Sequence, residues 1–375
     1  MGPGTDASAV TLRGRGIRGA SLFGGGGFRP RGFLSPELCV IGAIVVILAV
    51  GLSLSGQAEA EQEGQRAELG FHASPVEGVA VAPDGRTAVS ASRDGAVMIW
   101  DLASRRARRV VARTMAGFSS VAFAPDGASV AVGGLSDGVM ILDVATGATL
   151  ALLAQSDGAV RDVKFSPDGA SLAAGGDDGV IRIWNLRSGR QPLVLRGHTG
   201  LVASLAFAPD GQTLATAGIE DGVFLWDLGT GCIRKRLQAN AGMLSSLAFT
   251  HDGRLLAVGG VGCITLHELA TGRSQTCKCP QGRVTAVRFL PDGLSLASSG
   301  LDGSIAFWSV THAEILPRFT LRGHKGGVKA LAMSPDGTTL ISGGNDDTVK
   351  MWVLPRESDR LEAQSDGKPA KIKTS

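Results

Sequence analysis

Residues 328–352 read VKALAMSPDGTTLISGGNDDTVKMW, and the fold class follows from them. A run alternating every second residue meets a Pro-Asp-Gly turn. A second run follows, then an Asp-containing turn, then a third run ending in Trp352. Alternation with period two is a strand signal, and Pro-Asp-Gly is a turn signal with a backbone reason. The same unit recurs upstream, with turns at Pro83-Asp84-Gly85, Pro125-Asp126-Gly127, Pro167-Asp168-Gly169, Pro209-Asp210-Gly211, His251-Asp252-Gly253, Pro291-Asp292-Gly293 and Pro335-Asp336-Gly337. The steps between them are 42, 42, 42, 42, 40 and 44 residues. A fixed period in this range marks a propeller or a solenoid.

The inside of the unit separates these two. Large apolar residues stand two and four positions before the turn, as in Val121/Phe123, Val163/Phe165 and Leu205/Phe207. Four after the turn Asp come Val130, Leu172, Leu214, Leu256, Leu296 or Leu340, with the smaller Ala88 in the first unit. Third strands alternate as Val97/Ile99, Ile181/Ile183 and Val349/Met351, and Val76, Val160, Val202 and Val328 add apolar side chains on the other parity. Strands apolar on both faces are packed between two neighbouring sheets, as propeller blades are.

Trp100-Asp101, Trp184-Asn185 and Trp226-Asp227 end third strands, and Gly197-His198 and Gly323-His324 precede first strands. On these residues the chain resembles the WD40-repeat proteins from about residue 61 to 355. The resemblance implies an all-β, seven-bladed propeller that serves as a non-enzymatic platform for protein or peptide partners. It carries little about function beyond that, since one fold hosts unrelated activities.

Within the units, His72, Ser90, Asp94 and Trp100 lie at offsets repeated by His324, Ser342, Asp346 and Trp352. Such residues form a buried hydrogen-bond chain in WD40-like blades, and a buried indole N–H needs an acceptor. The fourth unit has His198, Thr216 and Trp226, with Glu220 at the Asp position and Asp221 after it. In the remaining units Thr114, Ser156, Asn240 and Pro280 stand where the His would be. Blade stapling, rather than a catalytic triad, is expected of these sets, because a reactive group must be exposed.

The 375 residues carry a net charge of +3, too near neutral to imply a nucleic-acid partner for the whole chain. Residues 1–36 are rich in Gly and Arg, with little to bury, and predict a disordered basic arm. Gly14-x-Gly16-x-x-Gly19 has no strand before it and no βαβ unit around it, so it reads as chance rather than as a dinucleotide site. The run from Leu38 to Leu54 holds seventeen residues without a charge. As a helix it would span about 26 Å, close to a bilayer core. Two readings stand: a membrane anchor occupying residues 37–56, or a signal h-region followed by cleavage at Ala58-Glu59-Ala60. Arg13, Arg15, Arg18, Arg29 and Arg31 precede the run, while Glu59, Glu61 and Glu63 follow it. The positive-inside rule then keeps the N-terminus cytoplasmic and exports the propeller; cleavage near Ala58 or Ala60 would release it.

Residues 61–69 align with 187–195, the outer strand of the third unit, and the last unit lacks an outer strand of its own before Pro355. The N-terminal segment is therefore expected to complete the seventh blade, with 356–364 as the rival; the tail 356–375 is charged and expected to be disordered.

Other signals of chemistry fail on context. Gly134-x-Ser136-x-Gly138 lies between strands rather than before a helix. Asp177-Asp178-Gly179 and Asp346-Asp347 lack the ligand number of a calcium cage and read as turns. The fifth unit departs from the pattern, with His251 and His267 in place of Pro and Trp and a shortened Asp turn. Cys263, Cys277 and Cys279 lie in it, with Cys232 just upstream. A metal site, a disulfide in an exported domain and a degenerate blade are all open there, though the Cys277-Lys278-Cys279 spacing sets the two thiols apart. The basic runs Arg105, Arg106, Arg108, Arg109 and Arg234-Lys235-Arg236 fall on outer strands, where cations blunt a sheet edge.

No cofactor, metal or small-molecule substrate is expected. The resemblance implies that partners dock on the face where the fourth-to-first and second-to-third-strand loops emerge, presenting Glu77, Arg93, Arg161, Asp177, Met243, Arg283, Lys329 and Asn345. The rival class is an exported hydrolase, lyase or quinoprotein enzyme with a central-channel site. The first-strand positions, mostly Ala, Ser, Val and Leu, speak against a catalytic cluster there.

Overall fold

The structure is a computed structural model and describes residues 65–354 apart from 137, 154–157, 239–241 and 312–313. The basic arm, the apolar run 38–54 and the tail 356–375 lie outside the described residues. Among those described, no helix is long and apolar enough to cross a membrane.

Among the described residues, all regular structure is antiparallel β. Five four-stranded sheets and one seven-stranded sheet are formed. The larger sheet arises because the sixteen-residue strand Ser274–Phe289 is the outer strand of one set of four and the inner strand of the next. Each inner strand packs against its neighbours: Val76–Val81, Phe118–Phe123, Val160–Phe165, Val202–Phe207, Ser246–Phe249, the second half of Ser274–Phe289, and Val328–Met333. Val328–Met333 in turn meets Val76–Val81, so the ring closes.

The Pro-Asp-Gly turns show why these residues were needed. Asp84 Oδ1 accepts the Arg86 N–H at 2.8 Å, and Asp336 Oδ1 accepts the Thr338 N–H at 3.0 Å. Gly85 and Gly337 hold φ of 66° and 69°, a region costly for a side-chain-bearing residue. Turns also touch around the ring: a Cβ on Gly127 would stand 3.4 Å from Pro83, and one on Gly85 would stand 3.7 Å from Pro335.

The core lies between sheets rather than inside one. Leu225 of the fourth unit packs with Leu247 and Val258 of the fifth, and Leu69, Val349 and Met351 pack with Val79, Ala88 and Trp100 across the junction of last and first. The spacing there is close, since a Cβ on Gly343 would lie 2.4 Å from Val76. Exclusion of side-chain volume at such a contact keeps the sheets in register.

The last sheet has the order Gln65–Phe71, Thr348–Val353, Thr339–Gly344, Val328–Met333. Ala67 pairs with Met351 and Phe71 with Thr348. The N-terminal strand thus supplies the fourth position of the last sheet.

Candidate functional site

Three indole–hydroxyl–imidazole–carboxylate chains tie loops to sheets. Trp100 Nε1–H donates to Ser90 Oγ at 2.8 Å, Ser90 meets His72 Nε2 at 2.7 Å, and His72 Nδ1 meets Asp94 at 3.1 Å. Asp94 also accepts the Ala73 N–H at 2.8 Å. Trp352, Ser342, His324 and Asp346 repeat this with 2.8, 2.7 and 2.8 Å steps. The proton order is fixed by valence: the hydroxyl takes the indole hydrogen and gives its own to Nε2, so Nδ1–H faces the carboxylate.

Electrostatics agree with a neutral ring. Burial is the largest influence on His72, His198 and His324 and lowers all three below the usual imidazole value, against the upward pull of their Asp partners. For Asp346 burial alone would raise the carboxyl. The His324 hydrogen bond and the Lys325 N–H together outweigh it and bring the group down to about 2. Ser90, Thr216 and Ser342 are fully buried, so none is placed as a nucleophile.

Two departures from the fixed offsets are resolved here. In the fourth unit Asp221, not Glu220, completes the chain: it meets His198 Nδ1 at 2.6 Å, and Thr216 links His198 to Trp226. The turn there is one residue longer, so a fixed offset lands on the wrong acid. The sixth unit is not without a network. Trp308 donates to Ser298 at 2.8 Å, and Ser298 donates to Gln281 Oε1 at 2.7 Å. Gln281, one position beyond Pro280, replaces the imidazole and also donates to the Ser298 carbonyl.

The fifth unit carries none of this. His267 occupies the Trp position opposite Leu256, and its buried Nε2 has no hydrogen-bond partner. Cys232, Cys263, Cys277 and Cys279 are present as thiols. Cys263 packs between the fourth and fifth units, and Cys277 and Cys279 pack between the fifth and sixth. Burial pushes the Cys279 thiol up to about 12, which makes it unreactive. Among the described residues no group of three or more His, Cys, Asp or Glu side chains is placed to hold a metal ion.

A cavity of about 370 Å³ occupies the channel ringed by the inner strands. Glu77, Arg161, Arg283 and Lys329 of the expected docking face line it. Arg93 Nε stands 2.6 Å from Glu77, an ion pair without hydrogen-bond alignment, and Lys329 approaches the same carboxylate at 3.7 Å. Arg161 grips Asp177 with two contacts of 2.5 and 3.0 Å. Met243 and Asn345 are exposed on neighbouring loops and do not line the cavity.

Deeper in the channel stand Asp162, Lys164 and Arg288, which sequence reading passed over. First strands are mostly Ala, Ser, Val and Leu, and these three charged side chains are exceptions to that composition. Asp162 accepts from Ser120, Ser204 and the Leu205 N–H at 3.0, 3.2 and 2.9 Å, joining three inner strands, and Lys164 also donates to it. Burial lowers Lys164, opposed by Asp162 and reinforced by Arg288; burial likewise lowers Arg288, opposed by Asp162. The signal was available as two long cations on strands whose equivalents carry alanine.

A closed ring of propeller-like sheets with a lined channel and loops at its mouth defines a binding platform. The family model described as WD domain, G-beta repeat matches residues 64–101, 148–185, 189–227, 272–309 and 316–353, just over half of the chain. The chain belongs to the WD40-repeat family, whose repeats typically build non-enzymatic interaction scaffolds. Two spans between these matches, 102–147 and 228–271, hold the third strands with Leu142 and His267 in place of Trp. Comparison with curated proteins gives no match.

Proposed function

We propose that this chain is a seven-bladed WD40 propeller that docks a protein or peptide partner at the mouth of its channel, has no catalytic role and is tethered to a membrane by residues 38–54. The observation that carries the docking reading is the composition of that mouth. Glu77, Arg93 and Lys329 form one ion-paired group and Arg161 with Asp177 a second. Exposed Leu301 lines the same cavity, and exposed Met243 lies on a neighbouring loop. Arg and Met beside mixed charge suit a protein surface, whereas nucleic acid calls for one sign of charge. The exported-enzyme reading needs a free acid or base in the channel. Glu77 and Asp162 are each engaged by cations or hydroxyls, so the lining offers binding rather than proton transfer.

The test compares full-length protein with Arg93→Glu and Met243→Glu at the mouth and with Thr338→Arg at the opposite turn. A partner kept by the parent and the Thr338 variant, and lost by both mouth variants, supports the reading; one kept by all of them sinks it. The tether rests on the uncharged run and on the arginines before it, which orient the propeller outward. Protease added to intact cells should remove the propeller and spare the arm. Digestion only after the membrane is broken would reverse the orientation, and a mature N-terminus near residues 57–61 would mean signal cleavage.

A further inference from the structure

We propose that the channel is a binding site for a small oxyanion, a phosphate or a carboxylate, held between the Lys164 ammonium and the Arg288 guanidinium. This stands apart from docking at the mouth and does not need it.

The first ground is placement. Lys164 and Arg288 occupy the fifth position of their inner strands, Val160–Phe165 and the second half of Ser274–Phe289. Alanine fills that position in the other five, at Ala80, Ala122, Ala206, Ala248 and Ala332. Two long cations therefore share one level of the ring, with nothing of comparable length beside them. They lie within electrostatic reach of each other.

The second ground is charge. Arg161, Lys164, Arg283, Arg288 and Lys329 line the cavity against only Glu77 and Asp162. Arg161 is satisfied by Asp177, Lys164 by Asp162, and Lys329 shares Glu77 with Arg93. Arg288 has no carboxylate partner among the described residues, and one of its five N–H donors is used, by the Val287 carbonyl at 2.7 Å. Asp162 supports its charge through space but gives it no hydrogen bond, because Ser120, Ser204, the Leu205 N–H and Lys164 already fill that carboxylate.

The third ground is fit. Arg288 is half-buried in the channel lining with donors still unused, and an anion presenting two oxygens matches its fork. The cavity falls in the size range of small-molecule sites. Arg283, also without a carboxylate partner among the described residues, stands in its lining and would draw an anion inward.

The experiment uses full-length protein. Inorganic phosphate and succinate are titrated by calorimetry and by thermal unfolding, with chloride at matched ionic strength as the reference. Phosphate or succinate should raise the unfolding midpoint beyond the chloride effect. Lys164→Met and Arg288→Met should each weaken binding at least tenfold while keeping the far-ultraviolet spectrum of the parent. Should Arg288→Met fail to fold, Arg288→Gln takes its place with the same expectation. A glutamate-rich peptide that competes with phosphate would make a partner's side chain the source of the anion; phosphate binding without competition would make it a free ion. No midpoint change beyond chloride in the parent protein, or an unchanged response in the Arg288 variant, overturns the proposal.

Discussion

A buried indole brings one hydrogen-bond donor into the interior, and its cost depends on what waits there. Trp100, Trp226, Trp308 and Trp352 each find a hydroxyl on the adjoining middle strand at 2.8 Å. Trp184 does not, because Ala174 holds the equivalent position. Replacing Trp by Phe removes the donor and keeps much of the apolar volume. Trp352→Phe should therefore cost about 1–3 kcal/mol through Ser342, left with an unmet partner in the interior. Trp308→Phe should cost a similar amount, since Gln281 makes that unit a network too. Trp184→Phe should cost clearly less, as it breaks no such bond. Denaturant unfolding of the three full-length variants decides it, and equal losses would mean that packing alone sets the penalty. Sequence reading named Asp221 without giving it the role and passed over Gln281, for one reason. Both sit one residue away from the offset that a rigid repeat assigns, and only the folded backbone absorbs the extra residue.

At the level of strands, the repeat was legible because turns and apolar parity obey local rules. Pro-Asp-Gly sets its own turn, and alternation sets its own strand, without knowledge of neighbours. The closing strand was expected over 61–69 from its alignment with 187–195, and the described strand runs from Gln65 to Phe71. The shared strand Ser274–Phe289 was not legible, because no turn chemistry marks where one sheet hands over to the next. Closure has a measurable consequence. Gln65–Phe71 covers the edge of Thr348–Val353 and seats Leu69 among Val349, Met351 and Trp100. Removing residues 1–60 should leave cooperative unfolding close to that of the parent. Removing residues 1–71 should expose two sheet edges and give broad, aggregation-prone unfolding. Identical melting of the two fragments would show that another segment closes the ring.

Across the whole molecule, charges on separate units converge in ways no single repeat discloses, as Lys164 and Arg288 do. The His–Asp chains are a second collective property, and they set how stability depends on pH. Each of His72, His198 and His324 is held below its unfolded value of 6.5, chiefly by burial. A depressed group of this kind contributes stability that is complete above the unfolded value and is lost as pH falls below it. Each imidazole still neutral there costs about 1.4 kcal/mol per pH unit, and the three act together. Their acids follow at lower pH. Asp94 and Asp221 are lowered, and Asp346 reaches about 2 from 3.8, so their contribution is kept above 3.8 and lost toward 2. The unfolding midpoint should therefore be flat above about pH 7, begin to fall as pH drops below about 6.5, and fall further below about 4 as the carboxylates protonate. Gln281 shows that an amide can stand in for the imidazole in this fold. A variant with His72→Gln, His198→Gln and His324→Gln should lose most of the first decline, keeping the share of His267, which burial also lowers, and should keep the second. Calorimetric midpoints from pH 8 to 3 read this directly. A parent protein equally stable at pH 7.5 and 5.5 would show that the three rings are not held neutral.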